Sequence, residues 1–184
     1  MKGIVCVTDF GDTHAMINRI EDEPLESIAA RLGERMLQLG LRLTTAESCT
    51  GGWVAKTVTD IAGSSAWFDR GFVTYSNAAK QEMLGVASET LDAHGAVSEP
   101  VAKEMVAGAL ARSQADTAVA ITGIAGPGGG SVDKPVGTVW FAWGMPGQQV
   151  LTGCDRFDGD RDRVRQQAVR VALEGLLEHL RARV

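Results

Sequence analysis

The chain has 184 residues, 45% of them hydrophobic, and a formal net charge of −5, which suits one domain with a full core and argues against a general nucleic-acid binder. No apolar run reaches the roughly 20 residues of a membrane span. Three cysteines (Cys6, Cys49, Cys154) and three histidines (His14, His94, His179), without CxxC or HExxH spacing, argue against a disulfide framework or a thiolate metal site and suit a reducing cytoplasm.

Residues 1–23 stand apart from the rest. The apolar core after Met1 is too short for a signal peptide. Residues 4–7 read as a short strand, and residues 9–23 are polar and irregular. The stretch reads as an N-terminal extension, expected to be mobile, and residues 24–184 as a single domain. A helix starts near Pro24, a favoured first-turn residue. Leu25, Ile28, Ala29, Leu32, Met36 and Leu39 form one apolar stripe on it, and Gly40 ends it. Residues 41–45 read as a buried strand. Residues 52–61 read as a helix with Trp53, Val54, Val58 and Ile61 inward, broken by Gly63-Ser64-Ser65. Residues 67–76 are rich in strand formers, among them Phe72, Val73 and Tyr75.

Asn77 reads as the cap of a short helix carrying Lys80, Met83 and Leu84. Ser98-Glu99-Pro100 opens the next helix, with Val101, Met105, Val106, Ala109 and Leu110 inward. Residues 117–122 form an apolar run expected to be a strand buried on both faces. They feed a long, flexible Gly-rich loop, residues 123–131. Residues 137–143 and 149–157 read as a hairpin around Met145-Pro146-Gly147. A last helix from about Asp160 carries Val164, Ala168, Val171, Leu173, Leu176, Leu177 and Leu180. Alternating helices and strands followed by paired strands predict a three-layer α/β/α sandwich with a mixed β-sheet. Ligands gather at strand C-terminal ends in such sheets, where three loops emerge: 47–52, 75–80 and 122–131.

Chemistry is carried by the run Thr45-Ala46-Glu47-Ser48-Cys49-Thr50-Gly51-Gly52. A serine at a helix start sits beside outward N–H groups, and the glycines let a ligand approach, which suits a nucleophile and its oxyanion. Ser and Thr are also the usual helix caps, so Ser48 on this run alone reads first as an ordinary cap. Lys80 reads either as a solvated surface residue or as a desolvated base able to activate Ser48. Tyr75, the single tyrosine, reads as a proton relay or as a packed aromatic. The Gly-rich loop fits neither GxxxxGK[ST] nor GxGxxG; it is a mobile loop or an anion nest. Arg161, opening the last helix, offers a bidentate fork to phosphate or pairs with a neighbouring aspartate.

The segments TTAESCTGG, GSSAWFDRGFVTYSNAAK, HGAVSEPVA, ITGIAGPGGG, KPVGTVW and FDGDRDRVR, in that order, resemble the C-terminal domain of the CinA family over about residues 25–180. The resemblance implies a cytoplasmic homo-oligomer, a dimer or larger. It implies hydrolysis of nicotinamide mononucleotide, a small pyridine nucleotide, to nicotinate mononucleotide and ammonia, with no metal or cofactor. The family's nucleophile maps to Ser48, its lysine and tyrosine partners to Lys80 and Tyr75, its threonine to Thr122 and its phosphate-side arginine to Arg161. Glu47, Cys49, Thr50, Gly51 and Gly52 around the serine, with Gly123 and Gly126 in the Gly-rich loop, complete the expected substrate-binding set. The extension has no family counterpart. The larger nucleotide-processing domain of full-length CinA proteins is absent, and its activity is expected to be absent too. Two rival readings are a non-catalytic pyridine-nucleotide-binding regulatory module, which would bind without releasing ammonia, and the same site acting on another amide or ester.

Overall fold

The computed structural model describes residues 23–181; the expected strand at 4–7 and the extension up to residue 22 lie outside the described residues. The first described helix, α1 (Leu25–Leu39), buries Leu25, Ile28, Ala29, Leu32 and Met36, and Leu39 packs half-buried beside them. Gly40 stops it at φ 65, a left-handed conformation that costs glycine little. Then follow β1 (Leu43–Glu47), α2 (Trp53–Thr59), a single 3₁₀ turn, β2 (Phe68–Val73), α3 (Asn77–Leu84), α4 (Ser88–His94) and α5 (Glu99–Ala111). The chain continues through β3 (Thr117–Gly123), β4 (Thr138–Gly144), β5 (Leu151–Arg156) and α6 (Arg161–Arg181).

The five strands form one sheet in the order β2-β1-β3-β4-β5. β1 lies parallel to β2 and β3, while β3–β4 and β4–β5 are antiparallel, so the sheet is mixed. Strand alternation separates two cores. Val119, Ile121, Val139, Phe141 and Trp143 face α1, α2 and α6. Ala46, Ala118, Ala120 and Ala142 face the other way, toward α3, α4 and α5. This is the expected three-layer sandwich. The consequence for function is positional: the C-terminal ends of the three parallel strands β2, β1 and β3 open side by side on one rim.

Strand β1 runs two residues further than expected, to Glu47 and not 45, and four other local details differ from the sequence reading. The cap of α3 is Ser76, not Asn77: Ser76 is extended (φ −89, ψ 163) and its Oγ accepts the Ala79 N–H at 3.0 Å. α4 was not legible because only Leu91 of its seven residues is buried, which leaves no apolar period. It is held from outside: one Glu104 carboxylate accepts the Ala87 N–H at 2.8 Å and the Thr90 hydroxyl at 2.5 Å. β2 is shorter than expected, ending at Val73, where the last ladder bond runs from Thr74 N–H to Glu47 C=O at 2.8 Å. The Gly-rich segment is tied down by backbone bonds. Gly137 N–H donates to Ile124 C=O at 2.8 Å, Ile124 N–H to Thr138 C=O at 2.9 Å, and Ser131 N–H to Lys134 C=O at 2.8 Å.

Candidate active site

Ser48 follows β1 directly and is 8% exposed. Its N–H donates to Ile121 C=O at 2.9 Å, so the β1–β3 ladder fixes the residue that bears the hydroxyl. The chain then turns through Gly51 (φ 63) and Gly52 (φ 93), left-handed conformations that any side chain would strain. Glu47, fully buried, stabilises this turn. Its carboxylate accepts N–H bonds from Gly52 (3.1 Å), Val54 (3.0 Å) and Ala55 (2.8 Å). It therefore neutralises the start of α2, and the groups there are not free for a ligand. The N–H of Gly51 is also engaged, with Ser48 C=O at 3.1 Å. Among the described residues, the N–H of Thr50 has no partner and that of Cys49 meets only its own sulfur. The donors left for an oxyanion thus belong to the turn, not to the helix.

Lys80 projects from α3 beneath the end of β2 and is 1% exposed. Its Nζ lies 2.9 Å from Ser48 Oγ, 2.8 Å from Thr74 C=O and 3.5 Å from Tyr75 C=O. Burial lowers its pKa from 10.5 to about 8, because a charged ammonium loses its water there. A neutral amine has two N–H donors and one lone pair. The two carbonyls can take the donors, which leaves the lone pair for the Ser48 hydroxyl. Cys49, one residue along, is the other nucleophile in reach by sequence. Burial pushes its thiol up to about 12, so it stays protonated and inert.

Tyr75 is placed differently from a relay. The residue is 61% exposed, and its Oη accepts from Arg161 Nη2 at 3.0 Å. Only its backbone carbonyl approaches Lys80. Arg161 also donates from Nη1 to Gly126 C=O at 2.7 Å, so one guanidinium joins the loop after β2 to the Gly-rich loop. Thr122, 1% exposed, donates its hydroxyl to Ala96 C=O at 2.8 Å. Gly123 lies against β4, where a Cβ would come within 2.7 Å of Val139. Thr50 carries a buried hydroxyl with no hydrogen-bond partner among the described residues.

The structure therefore brings Ser48, Lys80, Cys49, Thr50 and the Thr74–Tyr75 carbonyls together. It sets Arg161 with Tyr75 and Gly126 on the rim, and keeps Glu47 behind the turn. Two contributors escaped the sequence reading. One is the Thr74 carbonyl, which no side-chain motif announces. The other is Arg165, whose Nε donates to Cys49 C=O at 3.2 Å and whose Nη2 donates to Thr50 C=O at 2.9 Å. Its spacing, one helical turn after Arg161, was the available signal. Among the described residues no three His, Cys, Asp or Glu side chains group as metal ligands would, and no helix is long and apolar enough to cross a membrane.

A sequence profile described as the CinA C-terminal domain matches residues 25–180. The nicotinamide-nucleotide amidohydrolase PncC of Escherichia coli K12 is 59% identical over 155 residues, covering 84% of this chain and 94% of that protein. The Pseudomonas putida protein of the same name is 53% identical over 156 residues, covering 85% and 97%. Among solved structures, the competence/damage inducible protein CihA of Agrobacterium tumefaciens superposes with a TM-score of 0.81 at 52% identity, covering 84% of this chain and 94% of that one. A CinA superfamily protein of Klebsiella pneumoniae gives 0.84 at 45% identity, covering 87% and 99%. The chain belongs to the CinA C-terminal domain family.

Proposed function

We propose that this protein is a serine amidohydrolase that converts nicotinamide mononucleotide to nicotinate mononucleotide and ammonia. The observation that carries the reading is the 2.9 Å approach of Lys80 Nζ to Ser48 Oγ in a site from which solvent is almost excluded. The substrate comes from the relatives named nicotinamide-nucleotide amidohydrolase.

The chemistry follows from the geometry. Neutral Lys80 takes the Ser48 proton as Oγ attacks the carboxamide carbon. The positively charged pyridinium ring withdraws electrons and makes that carbon more electrophilic. The tetrahedral oxyanion is met by the unpartnered N–H of Thr50 and by that of Cys49, with the unpartnered Thr50 hydroxyl as a further donor. Protonated Lys80 returns the proton to the leaving nitrogen, and ammonia departs. Water then attacks the nicotinoyl ester on Ser48, with Lys80 taking its proton; as the C–Oγ bond breaks, Lys80 returns that proton to Ser48 Oγ, and the product leaves as its carboxylate. Tyr75 supports Lys80 through its carbonyl and Arg161 through its hydroxyl. Arg161, exposed at the start of α6, turns its remaining donors to the phosphate beside the Gly-rich loop. A homo-oligomeric, cytoplasmic enzyme working without metal or cofactor belongs to the same proposal. Val73 and Met83, 45% and 40% exposed, offer apolar surface for a second copy.

The testing experiment is a pH profile of ammonia release from nicotinamide mononucleotide. If Lys80 acts as the base, kcat/KM rises through an apparent pKa near 8, and Lys80→Arg, which cannot lose its proton, is inactive at every pH. An active Lys80→Arg variant would show that Lys80 supplies only charge.

A further inference from the structure

The turn after β1 is held from two sides. Behind it, Glu47 holds the N–H groups of Gly52, Val54 and Ala55. On the α6 side, Arg165 holds two successive carbonyls, Cys49 C=O through Nε and Thr50 C=O through Nη2. The guanidinium lies over the Trp53 ring at 5.1 Å, which keeps its plane and reach fixed. A weak 3.9 Å approach to the exposed Asp162 leaves its charge directed at the turn.

A peptide unit is planar and trans, so the C=O of one residue points opposite the N–H of the next. The carbonyl of Cys49 is therefore the other end of the Thr50 N–H, the donor of the turn that has no partner among the described residues. The other candidate, the Cys49 N–H, shares its peptide with Ser48 C=O, which the Gly51 N–H already holds at 3.1 Å. The first peptide is fixed from within the turn, the second only from outside, by a cation. A charged donor on a carbonyl also polarises the peptide and strengthens its N–H as a donor.

We propose that Arg165 is a positioning residue of the oxyanion site: it fixes and polarises the Cys49–Thr50 peptide so that the Thr50 N–H meets the oxyanion. Arg165 touches no reacting atom and acts through that peptide. The inference rests on the serine amidohydrolase reading. A groove of about 730 Å³ reaches Arg165 between α1 and the turn, lined also by Leu25, Glu26, Gly52, Trp53 and Lys56. Ser48, Tyr75 and Lys80 do not line it. A small cation can thus reach the place of the missing side chain without entering the substrate site.

The test is chemical rescue. Wild type, Ser48→Ala, Arg165→Ala and Arg165→Lys are assayed for ammonia release from nicotinamide mononucleotide, with and without millimolar guanidinium chloride, far below denaturing levels. Arg165→Ala is expected to lower kcat about 10- to 100-fold, below the 10²–10³ of an outright lost oxyanion donor, with KM within about threefold. Guanidinium should restore kcat at least about fivefold in that variant and leave wild type unchanged. Arg165→Lys, which keeps the charge but cannot bridge two carbonyls, should fall between. Unchanged kcat in Arg165→Ala overturns the proposal. So does a loss expressed in KM, or a loss that guanidinium leaves untouched, whatever the melting temperature. Should Arg165→Ala not fold, a wild-type kcat in Arg165→Lys overturns it equally, and a kcat-only loss there supports it. Turnover by Ser48→Ala, or none by wild type, overturns the amidohydrolase reading and this inference with it.

Discussion

Replacing Lys80 by methionine should stabilise the protein at neutral pH while removing its activity. Lys80 is held in the fold with a pKa near 8, against 10.5 for a free lysine, because burial penalises its charge. At about 1.4 kcal/mol for each tenfold change, keeping the charged form buried below pH 8 costs the fold about 3 kcal/mol. The sign follows from proton counting. Between pH 8 and 10.5 the unfolded chain holds the Lys80 proton and the folded chain does not, so stability rises with pH across that window. Methionine keeps the apolar stem and removes the charge. It also leaves Thr74 C=O, and the weaker contact at Tyr75 C=O, without their lysine donor, an offset of about 1–2 kcal/mol. Lys80→Met should therefore be more stable than wild type by about 1–2 kcal/mol at pH 7. That advantage should shrink by about 3 kcal/mol and change sign by pH 10.5. Urea unfolding of both proteins at half-unit steps from pH 7 to 10.5 measures the difference, in which other titrating groups cancel. A difference constant across that range would mean that Lys80 is not held near pKa 8, and the argument for it as a neutral base would fail.

Glu47→Gln should destabilise the fold by about 1.5–3 kcal/mol in urea unfolding, because a carboxylate accepting three N–H bonds gives way to a neutral amide with one acceptor oxygen. Wild-type stability would show that the turn holds itself. Tyr75→Phe should keep kcat within about threefold of wild type, since the hydroxyl meets Arg161 and not Ser48; a loss of 100-fold or more in kcat would return the relay role to Tyr75. Arg161→Ala should narrow the preference for nicotinamide mononucleotide over its riboside by about 10- to 100-fold, the worth of a charge-assisted contact of roughly 1.5–3 kcal/mol. An unchanged ratio of specificity constants would place the phosphate elsewhere.

The layers and strands were legible because their signals are periodic. The stripe on α1 and the apolar run of β3 each state what they bury. α4 was not, because its anchor is Glu104, fourteen residues beyond Thr90 and invisible to any local pattern. In the site, Ser48 and Lys80 stood out as residue types, yet their contact spans 32 positions and only the parallel β2–β1 pairing creates it. Tyr75 misled for a related reason. It lies five residues before Lys80, but the chain turns between them, so the hydroxyl leaves toward α6 while the carbonyl stays. Glu47 read as a ligand contact because sequence shows a carboxylate beside a serine. It does not show that β-strand alternation sends the two side chains apart. The turn's carbonyl partner, Arg165, lies 116 residues from Cys49.

The central claim is that Ser48, activated by Lys80, opens the carboxamide. Its most direct test is the rate of ammonia release from nicotinamide mononucleotide by wild type and by Ser48→Ala, at pH 8.5, with folding of both checked by circular dichroism. The account predicts steady turnover by wild type and a loss of at least about 10³-fold in the alanine variant, with nucleotide binding retained. Turnover by Ser48→Ala within tenfold of wild type would contradict it.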